Sequence, residues 1–243
     1  MKLIIDVGNT YVKFAIFNND DIIDKITCET SRFIFGLRKT LSIHKHISKA
    51  IISSVGKLPK SKIATLRSLV DLIIVNSNLK YPFVNKYSTP KTLGADRLAL
   101  VSAAVKKYPN TNTLVIDAGT CITYDFITSK KDYLGGAISP GIRLRYKALN
   151  NLTANLPLLD TSKPKSIVGD STENSIHSGV IYGIINEIDG VVKEYSKKYK
   201  DLTVILTGGD SEFLSNQLKS SIFANSNFLL EGLNFILEYH VSM

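Results

Sequence analysis

The stretch LIIDVGNTYVKFAIF, Leu3 to Phe17, decides the fold. It opens as a continuous apolar run, the pattern of a strand buried on both faces, and then breaks that pattern with Asp6, Gly8 and Asn9. A glycine directly after a buried strand lets another backbone or a ligand come close. The same design recurs in NTLVIDAGTCITYDFIT, where Asp117, Gly119 and Thr120 stand in the places of Asp6, Gly8 and Thr10. An apolar run ending in Asp, then Gly and Thr, then an alternating run, written twice, is an internal repeat. It predicts an α/β chain of two similar lobes, residues 1–111 and 112–243, each with an Asp-Gly turn at the tip of a strand pair. A third β-branched segment, LTVILTGGD, ends in paired glycines.

With 243 residues and 44% hydrophobic content, the chain can bury the core of one large domain or two small lobes. Cys28 and Cys121 lie far apart with no CxxC pair, which argues against a disulfide framework or a thiolate zinc site and for a reducing, cytoplasmic setting. Asp6 follows Lys2 too soon for the apolar core of a signal peptide. No apolar run approaches the roughly 20 residues needed to cross a bilayer, so the expectation is a soluble chain with no membrane partner. The net charge of +9 and the pI near 9.4 come with scattered lysines, as in YSKKYK and SKPKS, and with no helix-turn-helix or RNA-binding signature. Nucleic acid is therefore not an expected partner.

Helical patterns lie between and after the strands. In KTLGADRLALVSAAVKKY, Leu98, Val101, Ala104 and Val105 recur at helical spacing and Pro109 stops the run. The longest pattern spans Ser175 to Tyr199, with Val180, Ile184, Ile188, Val191 and Tyr195 on one face and Ile181, Ile185 and Val192 widening it. A stripe so wide implies burial on two sides, either as a central core helix or as a subunit interface. Gly179 and Gly183 have GxxxG spacing, but Asn186, Glu187 and Asp189 exclude a membrane reading. NFLLEGLNFILEYH closes the chain as a further helix.

Backbone amides in an Asp-Gly turn can point at phosphate oxygens, which the neighbouring carboxylate repels. The two are compatible when a divalent cation bridges carboxylate, water and phosphate. Asp6 would then hold Mg²⁺ through water, Thr10 would donate a hydroxyl, and Lys13 would bring positive charge. In TGGD, Thr207 to Asp210, the glycines allow close approach to a nucleotide; taken alone the segment reads better as a tight turn with Asp210 or Ser211 as helix cap, a reading that the two Asp-Gly turns weaken. The chain has neither GxxxxGK[ST] nor GxGxxG, and no GxSxG elbow. His44 and His46 alternate as strand neighbours would, with no third metal ligand in view; His177 reads as a helix residue, and Cys121 as a small buried thiol.

The ordered set DVGNT at Asp6, GADR at Gly94, DAGTCITYD at Asp117, GGAISPG at Gly135, LTANLP at Leu152, GDST at Gly169 and TGGD at Thr207 resembles that of type III pantothenate kinases. The resemblance spans almost the whole chain. It implies the actin-like ATPase fold of acetate and sugar kinases, built from two duplicated ribonuclease H-like lobes with ATP in the cleft. It further implies ATP-dependent phosphorylation of pantothenate at its primary hydroxyl, the first committed step towards coenzyme A.

By the same resemblance, the phosphate-binding segment falls on Asp6, Val7, Gly8, Asn9, Thr10, Tyr11, Val12 and Lys13, with Thr120 as a second ATP contact. Asp117 matches the position associated with a monovalent cation, K⁺ or NH₄⁺. Tyr87 and the run Gly94, Ala95, Asp96 and Arg97 match pantothenate-binding positions, with Asp96 in the place of the proton acceptor. Thr172 matches a further substrate contact near a dimer interface, so a homodimer is expected. Two other readings stand beside this one: a phosphohydrolase of the same superfamily, opposed by the intact GADR and Tyr87, and a non-catalytic regulatory relative, opposed by Asp6, Asp96 and Asp117.

Overall fold

The computed structural model describes residues 1–54 and 58–241, and its contacts divide them into two compact units. The first holds Met1–Pro109, Lys131–Tyr133 and Asn227 onward; the second holds Asn110–Lys130 and Leu134–Ser226.

In the first unit, β1 (Lys2–Val7), β2 (Tyr11–Asn18), β3 (Asp21–Glu29), β4 (Lys49–Ser54) and β5 (Asp71–Ile74) form one sheet in the order β3-β2-β1-β4-β5. β1 pairs antiparallel with β2 and parallel with β4, so the apolar run that opens the chain is the central strand. Burial on both faces explains why it does not alternate: Leu3, Ile4 and Ile5 are all inaccessible. On one face Leu3, Ile5, Val12, Phe14 and Ile52 pack with Phe33 and Leu37 of α1 (Phe33–Ile43) and Leu66 of α2 (Lys60–Arg67). The short β6 (Val84–Asn85) precedes α3 (Ala95–Lys107), and the closing helix α7 (Phe228–Val241) packs on α3 and reaches β1 and β4.

The second unit repeats the plan. β7 (Thr113–Ala118), β8 (Cys121–Ile127), β9 (Asp132–Pro140), β10 (Thr203–Thr207) and β11 (Phe223–Ala224) run in the order β11-β10-β7-β8-β9, with β6 paired to the first residues of β9. β7 is antiparallel to β8 and parallel to β10, as β1 is to β2 and β4. The repeat read from two Asp-Gly turns is thus a repeat of topology, the ribonuclease H-like order 3-2-1-4-5 in each sheet. Its core joins Leu114, Ile116 and Leu206 to α4 (Ile142–Asn151), α5 (Thr172–Lys198) and α6 (Ser211–Ser215).

Three expectations need correction. The wide stripe of α5 is absorbed by its own unit: Val180, Ile181, Ile184, Ile185, Ile188 and Val192 are buried in that core and Val191 and Tyr195 pack against it, so the stripe is no evidence for a subunit interface. His44 follows the end of α1, and Nε2 lies 2.9 Å from Asp24 Oδ2. It hydrogen-bonds Asp24 and is no strand neighbour of His46, because the buried spacing of Phe33, Gly36, Leu37 and Thr40 carries the helix to Ile43. Cys121, expected in the core, is exposed as the first residue of β8. The helix α5 begins at Thr172 because the Ser171 side chain accepts from Asn174 N at 3.2 Å and caps it.

The α3 and α7 backbones touch at Gly232, where a Cβ would run into the Ala99 carbonyl oxygen. Gly232→Ala should overpack this contact by about 1–3 kcal/mol and lower the thermal midpoint by several degrees, measured by calorimetry. An unchanged midpoint would show that the helices can separate freely.

Candidate active site

Asp6 is the penultimate residue of β1, opposite Lys13 across the hairpin and opposite Ser53 across the parallel pair. Burial pushes its carboxyl up to about 6; Lys13 opposes this, the Asp96 carboxylate adds to it, and the Ser53 hydroxyl pulls it down. Asp96 therefore lies close enough to Asp6 for the two negative charges to feel one another. Beyond Asp6 the turn is closed by Gly8 N donating to Tyr11 O at 2.9 Å, which leaves Asn9, Thr10 and Tyr11 exposed. Thr30 fastens the turn from outside: its N–H donates to Thr10 O at 3.0 Å and its hydroxyl to Gly8 O at 3.3 Å.

The GADR run starts α3. Gly94 is its N-cap and Asp96 lies in the first turn, folded back so that a Cβ at Gly94 would meet Asp96 Oδ1. Arg97 points elsewhere. Its side chain is buried and its guanidinium carbon lies 5.5 Å from the centroid of the Tyr87 ring. Tyr87 in turn stacks on Tyr133, with centroids 6.2 Å apart at 19°, and Phe83 meets Tyr133 edge-on at 6.0 Å. The fold thus brings Tyr87 and Arg97 together, as the resemblance implies, and adds Tyr133, which no sequence pattern had singled out. Only the pairing of β6 with β9 places Tyr133 there.

The second unit builds a matching turn. Asp117 is penultimate in β7, opposite Thr123 on one side and Thr207 on the other, so each acid faces a hydroxyl residue across its parallel pair. Gly119 N donates to Cys121 O at 2.9 Å, Gly141 N to Thr120 O at 3.0 Å, and Asp210 N to Ala118 O at 2.9 Å. Three motifs, DAGT, SPG and TGGD, therefore converge on one turn. Gly208, at φ 96°, is required there: any side chain would also strike Ala118 O and Asp117 Oδ1. Burial raises the Asp210 carboxyl, with Arg143 opposing it. Thr120 and Thr172 are exposed, the latter as the first residue of α5.

Comparison with known proteins fits this geometry. The profile of type III pantothenate kinases matches residues 2–194. The chain belongs to the type III pantothenate kinases. A type III pantothenate kinase from Christiangramia forsetii is 50% identical over 240 residues, covering 99% of each chain. Another from Flavobacterium johnsoniae is 46% identical over 241 residues, again covering 99% of each. Among solved structures, a glucokinase from an Antarctic psychrotroph superposes with a TM-score of 0.56 at 14% identity, covering 98% of each chain. A ROK family glucokinase from Streptomyces griseus gives 0.56 at 9% identity over 98% of each. The fold is that of the actin-like ATPases, with an α/β sheet duplicated as the sequence repeat required.

As a member of this family the chain uses a nucleotide, and the residues present could hold a cation beside it. Among the described residues no cluster of three or more His, Cys, Asp or Glu could hold a metal by itself. Mg²⁺ suits such a setting, since it keeps several waters and binds through one or two carboxylates plus substrate phosphates. The Asp6 carboxyl, raised by burial and by Asp96, is a group whose charge a bound cation would stabilise. Near Gly208 the Asp117 carboxylate and the Ala118 carbonyl come together, oxygen groups of the kind a monovalent cation takes.

The raised carboxyl has a measurable consequence. Folding favours the neutral form of Asp6, so its contribution to stability is complete below the unfolded value of 3.8 and is lost as the pH rises through about 6. At pH 8 the charged form then costs on the order of 2–3 kcal/mol. Asp6→Asn should raise the melting temperature of the ligand-free protein at pH 8 and have little effect at pH 4. A destabilised variant at pH 8 would show that the charge is already compensated.

Proposed function

We propose that this chain transfers the terminal phosphoryl group of ATP to the primary hydroxyl of pantothenate, giving 4'-phosphopantothenate and ADP, and that Asp96 receives the proton of that hydroxyl. One arrangement carries the reading: Asp6 at the end of β1 and Asp96 in the first turn of α3 belong to one compact unit, and the Asp96 charge helps to raise the Asp6 carboxyl. Phosphoryl transfer asks little covalent chemistry of the protein and depends on alignment and neutralised charge.

The segment Asp6, Val7, Gly8, Asn9, Thr10, Tyr11, Val12 and Lys13 cradles the phosphates with its turn amides, the Thr10 hydroxyl and the Lys13 ammonium. Thr120 gives a further ATP contact. Asp6 would hold Mg²⁺, which would supply charge neutralisation, and Asp117 would hold K⁺ or NH₄⁺. Pantothenate lies along Tyr87 and the Gly94–Arg97 run, Arg97 receiving its carboxylate, and Thr172 adds a contact. As the oxygen–phosphorus bond forms and the bond to ADP breaks, the hydroxyl proton passes to Asp96, which needs no strongly altered acidity for a late transfer.

The working unit is a homodimer. Support for it comes from the resemblance, which matches the exposed Thr172 at the start of α5 to a substrate contact near a dimer interface. The free cysteines Cys28 and Cys121 suit a reducing cytoplasm, and no helix among the described residues is long and apolar enough to cross a membrane.

Asp96→Asn should lower kcat by about 10²–10⁴-fold while leaving equilibrium binding of ATP and pantothenate within a few-fold. Wild-type turnover in that variant removes Asp96 from the mechanism. Activity should also depend on K⁺ or NH₄⁺, a dependence that equal rates in Na⁺ buffer would refute.

A further inference from the structure

The charge of the chain is unevenly placed. Of its 30 Lys and Arg residues, nine lie in residues 30–70, which contain no Asp or Glu, and the other 21 are matched by the chain's 21 acids. The whole net charge of +9 thus resides in the segment that folds into α1, β4 and α2.

That segment begins at the Asp6 turn. Thr30, bonded to Thr10 O and Gly8 O, offers its own carbonyl to Lys62 Nζ at 3.1 Å. The Lys62 ammonium also lies 5.9 Å from the centroid of the Phe33 ring, which orients the side chain across the start of α1. Arg32 joins it: both cations pull down the Cys28 thiol, which burial raises, and Cys28 faces Val12, just beyond the turn. Two hydrogen bonds through one residue link the Lys62 ammonium to Thr10. An ammonium has three donors, and the Thr30 carbonyl takes one. Glu29, opposite Tyr11, is exposed and accepts from Ser31 Oγ at 3.2 Å.

We propose that Lys62 is a second phosphate-binding lysine beside Lys13, donating to the terminal phosphates of ATP at the Gly8–Tyr11 turn, with Arg32 adding positive charge at the same end of the sheet. This rests on the reading of that turn as the phosphate site. A basic surface beside a binding turn raises the local concentration of an anion and makes its capture depend on salt. The plain alternative is a solvated lysine that only fastens Thr30.

The test compares Lys62→Met, Lys62→Arg and Lys13→Met by steady-state kinetics at several ionic strengths, with equilibrium binding of ATP and AMP. Lys62→Met should raise the KM for ATP about tenfold, the worth of one charge-assisted bond. It should leave the KM for pantothenate and the affinity for AMP within twofold and flatten the fall of kcat/KM for ATP with salt. Lys62→Arg should restore most of the loss. A raised KM with an unchanged salt slope overturns the proposal in favour of the fastening role. An unchanged ATP KM in Lys62→Met beside a raised one in Lys13→Met overturns it and leaves the turn reading standing, whereas no change in either variant removes both.

Discussion

Everything in this chain depends on a carboxylate held at the end of a strand that is buried on both faces. β1 lies between an antiparallel and a parallel neighbour, and its inaccessible Leu3, Ile4 and Ile5 fix the register that delivers Asp6 to the strand's end. In open α/β sheets, ligands bind outside the carboxyl ends of parallel strands. The duplicated plan applies this rule twice, with Asp117 at the same point of β7. The position is costly: burial favours the neutral acid, as the rise of Asp6 to about 6 shows. A binding function that brings a cation with its ligand turns this cost into affinity, because the cation finds a charge that the empty protein stabilises poorly.

Much of this was legible in the sequence. The two Asp-Gly turns predicted two lobes of like design, since a strand period and a turn residue are local signals, and the sheets have the same strand order. Helices α3, α5 and α7 followed from apolar spacing for the same reason. What escaped was set by contacts distant in sequence. The α5 stripe read as wide enough for two partners because spacing cannot say how much of a sheet and how many helices one helix must cover. Tyr133 entered the Tyr87–Arg97 group only through strand pairing. His44 found Asp24 through tertiary folding that the SIHKHIS pattern does not encode. The convergence of SPG and TGGD on the DAGT turn likewise needed coordinates, although each motif marked its own segment.

The charges complete the account. Residues 30–70 carry the entire basic excess, and the rest of the chain is balanced. Elsewhere in the first unit, Phe83, Tyr87 and Tyr133 pack together beside the buried Arg97.

The most direct measurement is ADP release by the purified protein, coupled to a spectroscopic assay and run with and without pantothenate, with 4'-phosphopantothenate quantified by mass. The account predicts that ADP forms only when pantothenate is present, one equivalent for each phosphopantothenate. Equal ADP release without pantothenate, or none under either condition, contradicts it.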